Sequence, residues 1–176
     1  MSIIGKEGIA LLDGQGVNFA QIERDHVRAR VYGPFDWHPF DRFSPYNPLR
    51  MPVTEARVAF VTTAGAHLSD QPPFDIDADA GDPSWRAIPV ETSLADLILS
   101  HGGYDTHRAS ADKNVVLPLE HLRAFRDEGR IGSLSPNVYS FMGYVADTDR
   151  LLEVEAPAIA ERLIADHVDL VLLAPT

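Results

Sequence analysis

Cysteine is absent from this chain of 176 residues. That excludes disulfides, thiolate metal sites and a cysteine nucleophile contributed by these residues. Basic charge is scarce too: 15 Lys and Arg stand against 26 Asp and Glu, for a net charge of −11. Nucleic-acid binding needs clustered Lys and Arg to neutralise phosphates, and no such cluster occurs. No apolar run approaches the ~20 residues that span a bilayer. The opening residues, Met1-Ser-Ile-Ile-Gly-Lys6, lack the basic stretch and hydrophobic block of a signal peptide. The expectation is a cytoplasmic protein with neither nucleic-acid nor membrane partner.

Apolar residues make up 45% of the chain, enough to bury a core and resist disorder. Two zones differ in texture. Residues 1–52 hold Tyr32, Phe35, Trp37, Phe40, Phe43 and Tyr46 among Pro34, Pro39, Pro45, Pro48 and Pro52. Prolines at this density prevent regular helix, so an extended aromatic arm is predicted. Rings in such an arm need cover, which points to a grip on a second subunit as well as to packing on its own core.

Residues 53–176 read as an α/β domain. Ala56–Thr63 is β-branched and apolar and predicts a central strand, ending in the small-residue turn 64–67. An acidic loop, Ser69 to Pro83, follows. Trp85–Val90 and Leu94–Ser100 are candidate strands, the second able to begin as a helix. His101–His107 is a polar loop, and Asn114–Leu117 a short strand or extended entry. A helix starts near Pro118, with Leu119, Leu122 and Phe125 on one face and Gly129 as its C-cap. A second runs from about Asp147 to Asp166, kinked or split by Pro157. Its apolar set is Leu151, Leu152, Ile159, Ala160, Leu163 and Ile164. Val168–Ala174 reads as a buried parallel strand. Alternation of strands and helices implies a three-layer α/β fold with a mostly parallel sheet, preceded by the extended arm. Ligands in such sheets bind at the carboxyl edge. The sequence ends at Thr176, just after a predicted strand, so the domain is expected to be incomplete there, with part of its site lying beyond or on another chain.

Several side chains could carry chemistry. His101, Asp105 and His107 lie within one loop and suit acid–base work, with His67 nearby in the pattern. The same four could ligate a metal, but their spacing matches no established motif, and no metal is assigned. Thr62, Thr63 and Gly65 end a strand, where hydroxyls can hold a carboxylate and glycine admits a close ligand. Asp70, Asp75, Asp77, Asp79 and Asp82 lack the glycine and glutamate of a calcium loop and read as a solvated face. Ser140-Phe141-Met142-Gly143 reads as core packing.

A series of motifs sharpens this reading: Arg57-Val-Ala-Phe-Val-Thr-Thr-Ala-Gly-Ala-His-Leu68, Gln71-Pro-Pro-Phe-Asp75, His101-Gly-Gly-Tyr-Asp-Thr106, Asp112-Lys-Asn-Val-Val-Leu-Pro-Leu119, Gly129-Arg-Ile-Gly-Ser-Leu-Ser-Pro136 and Tyr139-Ser-Phe-Met-Gly143. In order and spacing it resembles the selenoprotein B subunit family of glycine, sarcosine, betaine and D-proline reductases. The resemblance implies a selenocysteine or cysteine directly after the strand matching Val168–Ala174, attacking the substrate carbon and breaking a C–N bond reductively. It also implies a partner subunit bearing a carbonyl cofactor that activates the amine. The redox residue is then expected beyond Thr176 or from a partner, with the chain ending at a recoded stop or being a natural fragment continued by a separate polypeptide; a truncated paralogue with another role is the third account. Carried over by motif, Thr62, Thr63, Gly65 and His67 line the substrate pocket, with His101, Tyr104 and Asp105 from one loop and Tyr139 and Ser140 from another. Two alternatives remain: a non-catalytic scaffold subunit of a hetero-oligomer, and a metal-dependent hydrolase or lyase using His67, His101, Asp105 and His107.

The arm yields a test. A stable homo-oligomer, or a complex with a complementary subunit, is expected, with Trp37, Phe40 and Phe43 at the contact. Deleting residues 1–46 releases monomer or aggregate in size-exclusion chromatography with light scattering. A soluble variant of unchanged oligomeric mass refutes that contact.

Overall fold

A computed structural model describes residues 9–12, 15–18, 47–146 and 148–176. The chain divides into two compact units, Met1–Asn47 and Pro48–Thr176. In the first, β1 (Ile9–Leu12) pairs antiparallel with β2 (Gln15–Asn18). The aromatic and proline-rich segment carrying Trp37, Phe40 and Phe43 lies outside the described residues.

The second unit is built on β3 (Arg57–Thr62), buried at Val58, Ala59, Phe60 and Thr62. Strand β9 (Leu170–Ala174) runs parallel along one side of β3, from Val58↔Leu170 to Thr62↔Ala174. Two short strands share its other side. β7 (Ser133–Leu134) pairs with Arg57 and Val58, and β8 (Asn137–Phe141) with Val61 and Thr62, all parallel. Ser135 and Pro136 stand between them and shift the register by two residues. A central strand cannot use proline's missing donor, so the pairing breaks there. β5 (Trp85–Pro89) closes that side, antiparallel to β8. A separate antiparallel pair joins β4 (Ala66–Leu68) to β6 (Leu97–Leu99).

Side chains alternate across the sheet as the pleat requires. Phe60, Ile88 and Val138 face a cluster with Ala109 of α1 (Thr106–Ala111) and Leu119 and Leu122 of α2 (Leu119–Asp127). Val61, Trp85, Tyr139 and Phe141 face a second cluster with Ile159 and Leu163 of α3 (Ala156–Ala165). The domain is therefore mixed α/β with a mostly parallel sheet. No described helix is long and apolar enough to cross a membrane.

Four expectations need correction or refinement. β9 is a strand but not a buried one: Leu172 is 41% and Leu173 74% exposed, because among the described strands only β3 pairs with it. Asn114–Leu117 is not a strand; Lys113–Val115 forms a 3₁₀ turn whose entry is capped by the Asp112 carboxylate accepting from the Asn114 N–H. His107 lies in helix α1 and not in the loop, since Asp105 accepts the Arg108 N–H and starts the helix there. The last helical segment is continuous, with a π-helical turn at Leu151–Glu155 leading directly into α3 and Pro157 near the α3 start, so it changes winding before the proline and is not split there. Only part of its apolar set turns inward: Ile159 is buried, while Leu152, Ala160 and Ile164 are exposed. Residues 94–100 combine both readings, a 3₁₀ turn Leu94–Asp96 and then β6. Gly129 takes φ +68 after α2, the left-handed conformation of a C-cap.

These environments set contrasting costs. Ile88→Ala removes a fully buried side chain and lowers stability by about 2–4 kcal/mol in urea denaturation. Ile164→Ala, at a position 74% exposed, changes it by no more than about 0.5 kcal/mol.

Candidate functional site

The carboxyl ends of β3, β8 and β9 point to the same edge because all three run parallel. A pocket of about 410 Å³ opens there. β3 contributes Val61 and Thr62, and Thr63 follows; the segment after β8 contributes Gly143 and Val145; Thr148 and Leu151 come from the start of the last helical segment; β9 contributes Leu173 and Ala174.

The residues at the end of β3 are fixed by hydrogen bonds. Thr62 is fully buried; its hydroxyl donates to the Val116 carbonyl (2.9 Å) and accepts the Ala64 N–H (3.2 Å). The Thr63 hydroxyl accepts the Thr176 N–H (2.8 Å), which leaves its own proton to donate. Gly65 sits at φ +65, and any Cβ there would overlap the Ser100 carbonyl. Its N–H donates to the Phe141 carbonyl (2.7 Å) and its carbonyl accepts the Ser100 N–H (2.9 Å), so this one residue ties three strand ends together.

His67 is 4% exposed. Its Nδ1 lies 2.9 Å from the Leu68 carbonyl and its Nε2 2.9 Å from Ser100 Oγ. A carbonyl only accepts, so Nδ1 carries the proton and Nε2 accepts from Ser100. Both ring nitrogens are thus engaged within the chain.

His101 is the opposite tautomer. The Gly103 N–H donates to its Nδ1 (2.8 Å), which leaves the proton of the neutral ring on Nε2. Burial holds its pKa below the usual 6.5, so the ring is neutral at pH 7. Its Nε2 stands 3.2 Å from where a Cβ on Gly143 would lie, and that same point is 2.9 Å from Thr63 Cβ. Gly143, at φ +91, is therefore packed closely by two side chains, Thr63, which lines the pocket, and His101, which is not among the lining residues. Tyr104 packs on His101 with ring centres 4.5 Å apart and donates to the Ala64 carbonyl (2.7 Å). Burial raises its pKa to about 12, so it remains a neutral donor.

The other expected residues take supporting places. Asp105 caps α1, and His107 is exposed on that helix. Ser140 is fully buried and accepts the Ala66 N–H (2.8 Å). Tyr139 packs edge-on to Trp85 at 5.5 Å, on the α3 side of the sheet. Burial first, and then the Asp166 charge, raises its pKa. Among the described residues, no group of three or more His, Cys, Asp or Glu side chains lies close enough to hold a metal. Sequence reasoning missed Val145, Thr148 and Leu151, and read Gly143 as packing. A glycine just past a strand's carboxyl end was the available signal. The acidic loop was also underread: Asp82 N–H donates to the Tyr144 carbonyl (3.2 Å) and Ala146 N–H to the Ala80 carbonyl (2.9 Å), so the loop braces the Gly143–Val145 wall.

The site is thus a largely apolar pocket at the carboxyl edge of a parallel sheet, with a threonine hydroxyl in its wall and a neutral imidazole packed on the adjoining Gly143, in an α/β domain. Residues 34–176 match the family model described as glycine/sarcosine/betaine reductase selenoprotein B, and the chain belongs to that family. It is 37% identical over 147 residues to the D-proline reductase subunit gamma of Acetoanaerobium sticklandii, covering 84% of this chain and 57% of that protein. It is 32% identical over 139 residues to the glycine reductase complex component B subunit gamma of Carboxydothermus hydrogenoformans, covering 78% and 32% respectively. It is 33% identical over 117 residues to the betaine reductase complex component B subunit beta of Peptoclostridium acidaminophilum, covering 64% and 25%. The chain thus spans little more than half of the first relative and a third or less of the other two. No solved structure matches it significantly.

The depressed pKa of His101 has a consequence for stability. The unfolded chain binds the His101 proton more tightly than the folded one, so this contribution is fully present above pH 6.5 and is lost as the pH falls towards the lower folded value. The unfolding midpoint is expected to drop below pH 6.5, and His101→Asn to flatten that part of the profile. An unchanged slope in the variant refutes the assignment.

Proposed function

We propose that this chain supplies the substrate-binding part of a reductase-complex subunit that cleaves a C–N bond of a small amine-type substrate. The observation that carries this reading is the pocket at the shared carboxyl edge of β3, β8 and β9, lined by Thr63 and Gly143 with the His101 ring packed against Gly143, in a chain of the selenoprotein B family. The Nε2–H of neutral His101 and the free proton of the Thr63 hydroxyl are two donors suited to a substrate carboxylate. Gly65 and Ser140 fix the strand ends beside them, and His67, Tyr104 and Asp105 fix the loop that carries His101. Tyr139 backs the sheet behind the pocket, and His107 stands on the helix that follows the loop. Packing of helices on both faces of the sheet supports reading the domain as three-layered.

The nucleophile is a thiolate or selenolate from outside residues 1–176, on a further segment or a partner chain. It attacks the substrate carbon, forming a C–S or C–Se bond while the C–N electron pair leaves with the nitrogen, which takes a proton. One thiol of a dithiol reductant then attacks that sulfur or selenium, and the carbon departs with the electron pair and takes a proton. The second thiol closes the reductant's disulfide and restores the nucleophile. The relatives' names, which include reductase complex components, support a hetero-oligomeric setting for this chain.

The test uses the protein purified with its native partners. Given a dithiol reductant and glycine, sarcosine, betaine or D-proline in turn, the assembly should release the amine product, or the ring-opened product from D-proline. His101→Asn should lower kcat/KM about tenfold or more at unchanged oligomeric mass, the cost of losing a hydrogen bond to a charged group. Full activity in that variant removes His101 from the site. An intact assembly that cleaves none of the four supports the scaffold reading instead.

A further inference from the structure

The acidic loop between Ser69 and Pro83 is tied to the site by its last residues. Gly81 and Val145 form an antiparallel bridge, with the Asp82 N–H donating to the Tyr144 carbonyl (3.2 Å) and the Ala146 N–H to the Ala80 carbonyl (2.9 Å). The Tyr144 hydroxyl donates to the Asp79 carbonyl (3.3 Å). The approach is close: Gly81 takes φ +76, and a Cβ there would stand 2.0 Å from the Tyr144 carbonyl oxygen. The residue just before this clamp is Gly143, against which Thr63 and His101 pack.

One carboxylate closes the loop into that shape. Oδ1 of Asp82 accepts the Ser84 N–H (2.9 Å) and the Ser84 hydroxyl, and Oδ2 accepts the Asp75 N–H (3.0 Å). Residues 75–82 are thereby drawn into a ring. The stretch before it is pinned separately: Arg86 of β5 donates to the Pro72 and Pro73 carbonyls and lies over the buried Phe74 ring. Burial pushes the Asp82 pKa up, but the bonds from Ser84 and Asp75 and the Arg86 charge outweigh it and hold the carboxyl below its usual value. Asp82 is therefore ionised at pH 7, and its three hydrogen bonds are the strong, charge-assisted kind. Without them the segment 75–82 regains the backbone freedom that the ring removes.

We infer that Asp82 is a positioning residue for the candidate site: its carboxylate shapes the acidic loop into the clamp that holds residues 144–146, and through them Gly143, in place for Thr63 and His101. Asp82 is not among the residues lining the pocket and acts through the clamped segment. The inference rests on the function proposed above and adds to it a residue outside the pocket.

Hydrogen–deuterium exchange by mass spectrometry on the natively assembled protein, with steady-state kinetics in parallel, tests it. Asp82→Ala should speed exchange about tenfold in peptides covering 79–84 and 142–146, the scale of losing hydrogen bonds to a charged group, and should extend to the His101 loop at 100–104. The β3 peptide 57–61 should keep its rate. KM should rise about tenfold with kcat within about twofold, the signature of lost binding. Gly81→Ala reaches the same segment by another route, through the Tyr144 carbonyl, and should reproduce both changes with the Asp82 carboxylate intact. Ser84→Ala removes one donor and should act in the same direction more weakly; it carries the test if Asp82→Ala does not fold. Asp77→Ala removes the same charge at an exposed position of the same loop and should change neither reading. Unchanged exchange at 142–146, faster exchange there with KM unchanged, or an equal effect from Asp77→Ala overturns the inference. An assembly that cleaves no amine substrate yet shows faster exchange reaching 100–104 refutes the reductase reading alone. Cleavage by an assembly whose faster exchange stays within 79–84 refutes the positioning role alone.

Discussion

Parallel pairing of β3 on both of its edges is the constraint from which the described domain follows. A parallel ladder aligns carboxyl ends, so Thr62 and Thr63 of the central segment, the end of β8 and Ala174 of β9 arrive at one edge together. Had β9 run antiparallel to β3, its amino end would face the pocket and Leu173 and Ala174 would lie at the far side of the sheet. The residues that occupy this edge are placed by hydrogen-bond register, and their chemistry is secondary to that placement.

Glycine then allows the close approaches. Gly65 threads between the Phe141 and Ser100 backbones, where no side chain fits. Gly143 has no side chain where the Thr63 side chain and the His101 ring pack against it. Backbone packing of this density makes the edge stiff on one side. On the other, Leu173 of β9 is exposed, so that side of the pocket is lightly covered.

The two histidines near this edge show how local bonding separates similar residues. His67 and His101 are both close to Ser100 in sequence or in space. A carbonyl acceptor at Nδ1 fixes one tautomer in His67, and a backbone donor at Nδ1 fixes the other in His101. Only the second leaves an N–H at the Gly143 wall. The metal-dependent alternative treated the two as equivalent; the structure gives them different bonding.

The sequence by itself determined the periodic elements. The β-branched run at 57–62 and the helix after Pro118 with its glycine cap are local matters of side-chain shape and proline geometry, and they are legible residue by residue. Motif order also carried the family. Burial was less legible: Val168–Ala174 has the composition of an inner strand, yet exposure depends on whether a neighbour pairs on its second side, which composition cannot encode. The site was half legible, since Thr63 and His101 stood out as polar groups after strands. The packing of both against Gly143 and the bracing of that segment by the acidic loop join residues some 40 to 80 positions apart, and only tertiary packing could bring them together.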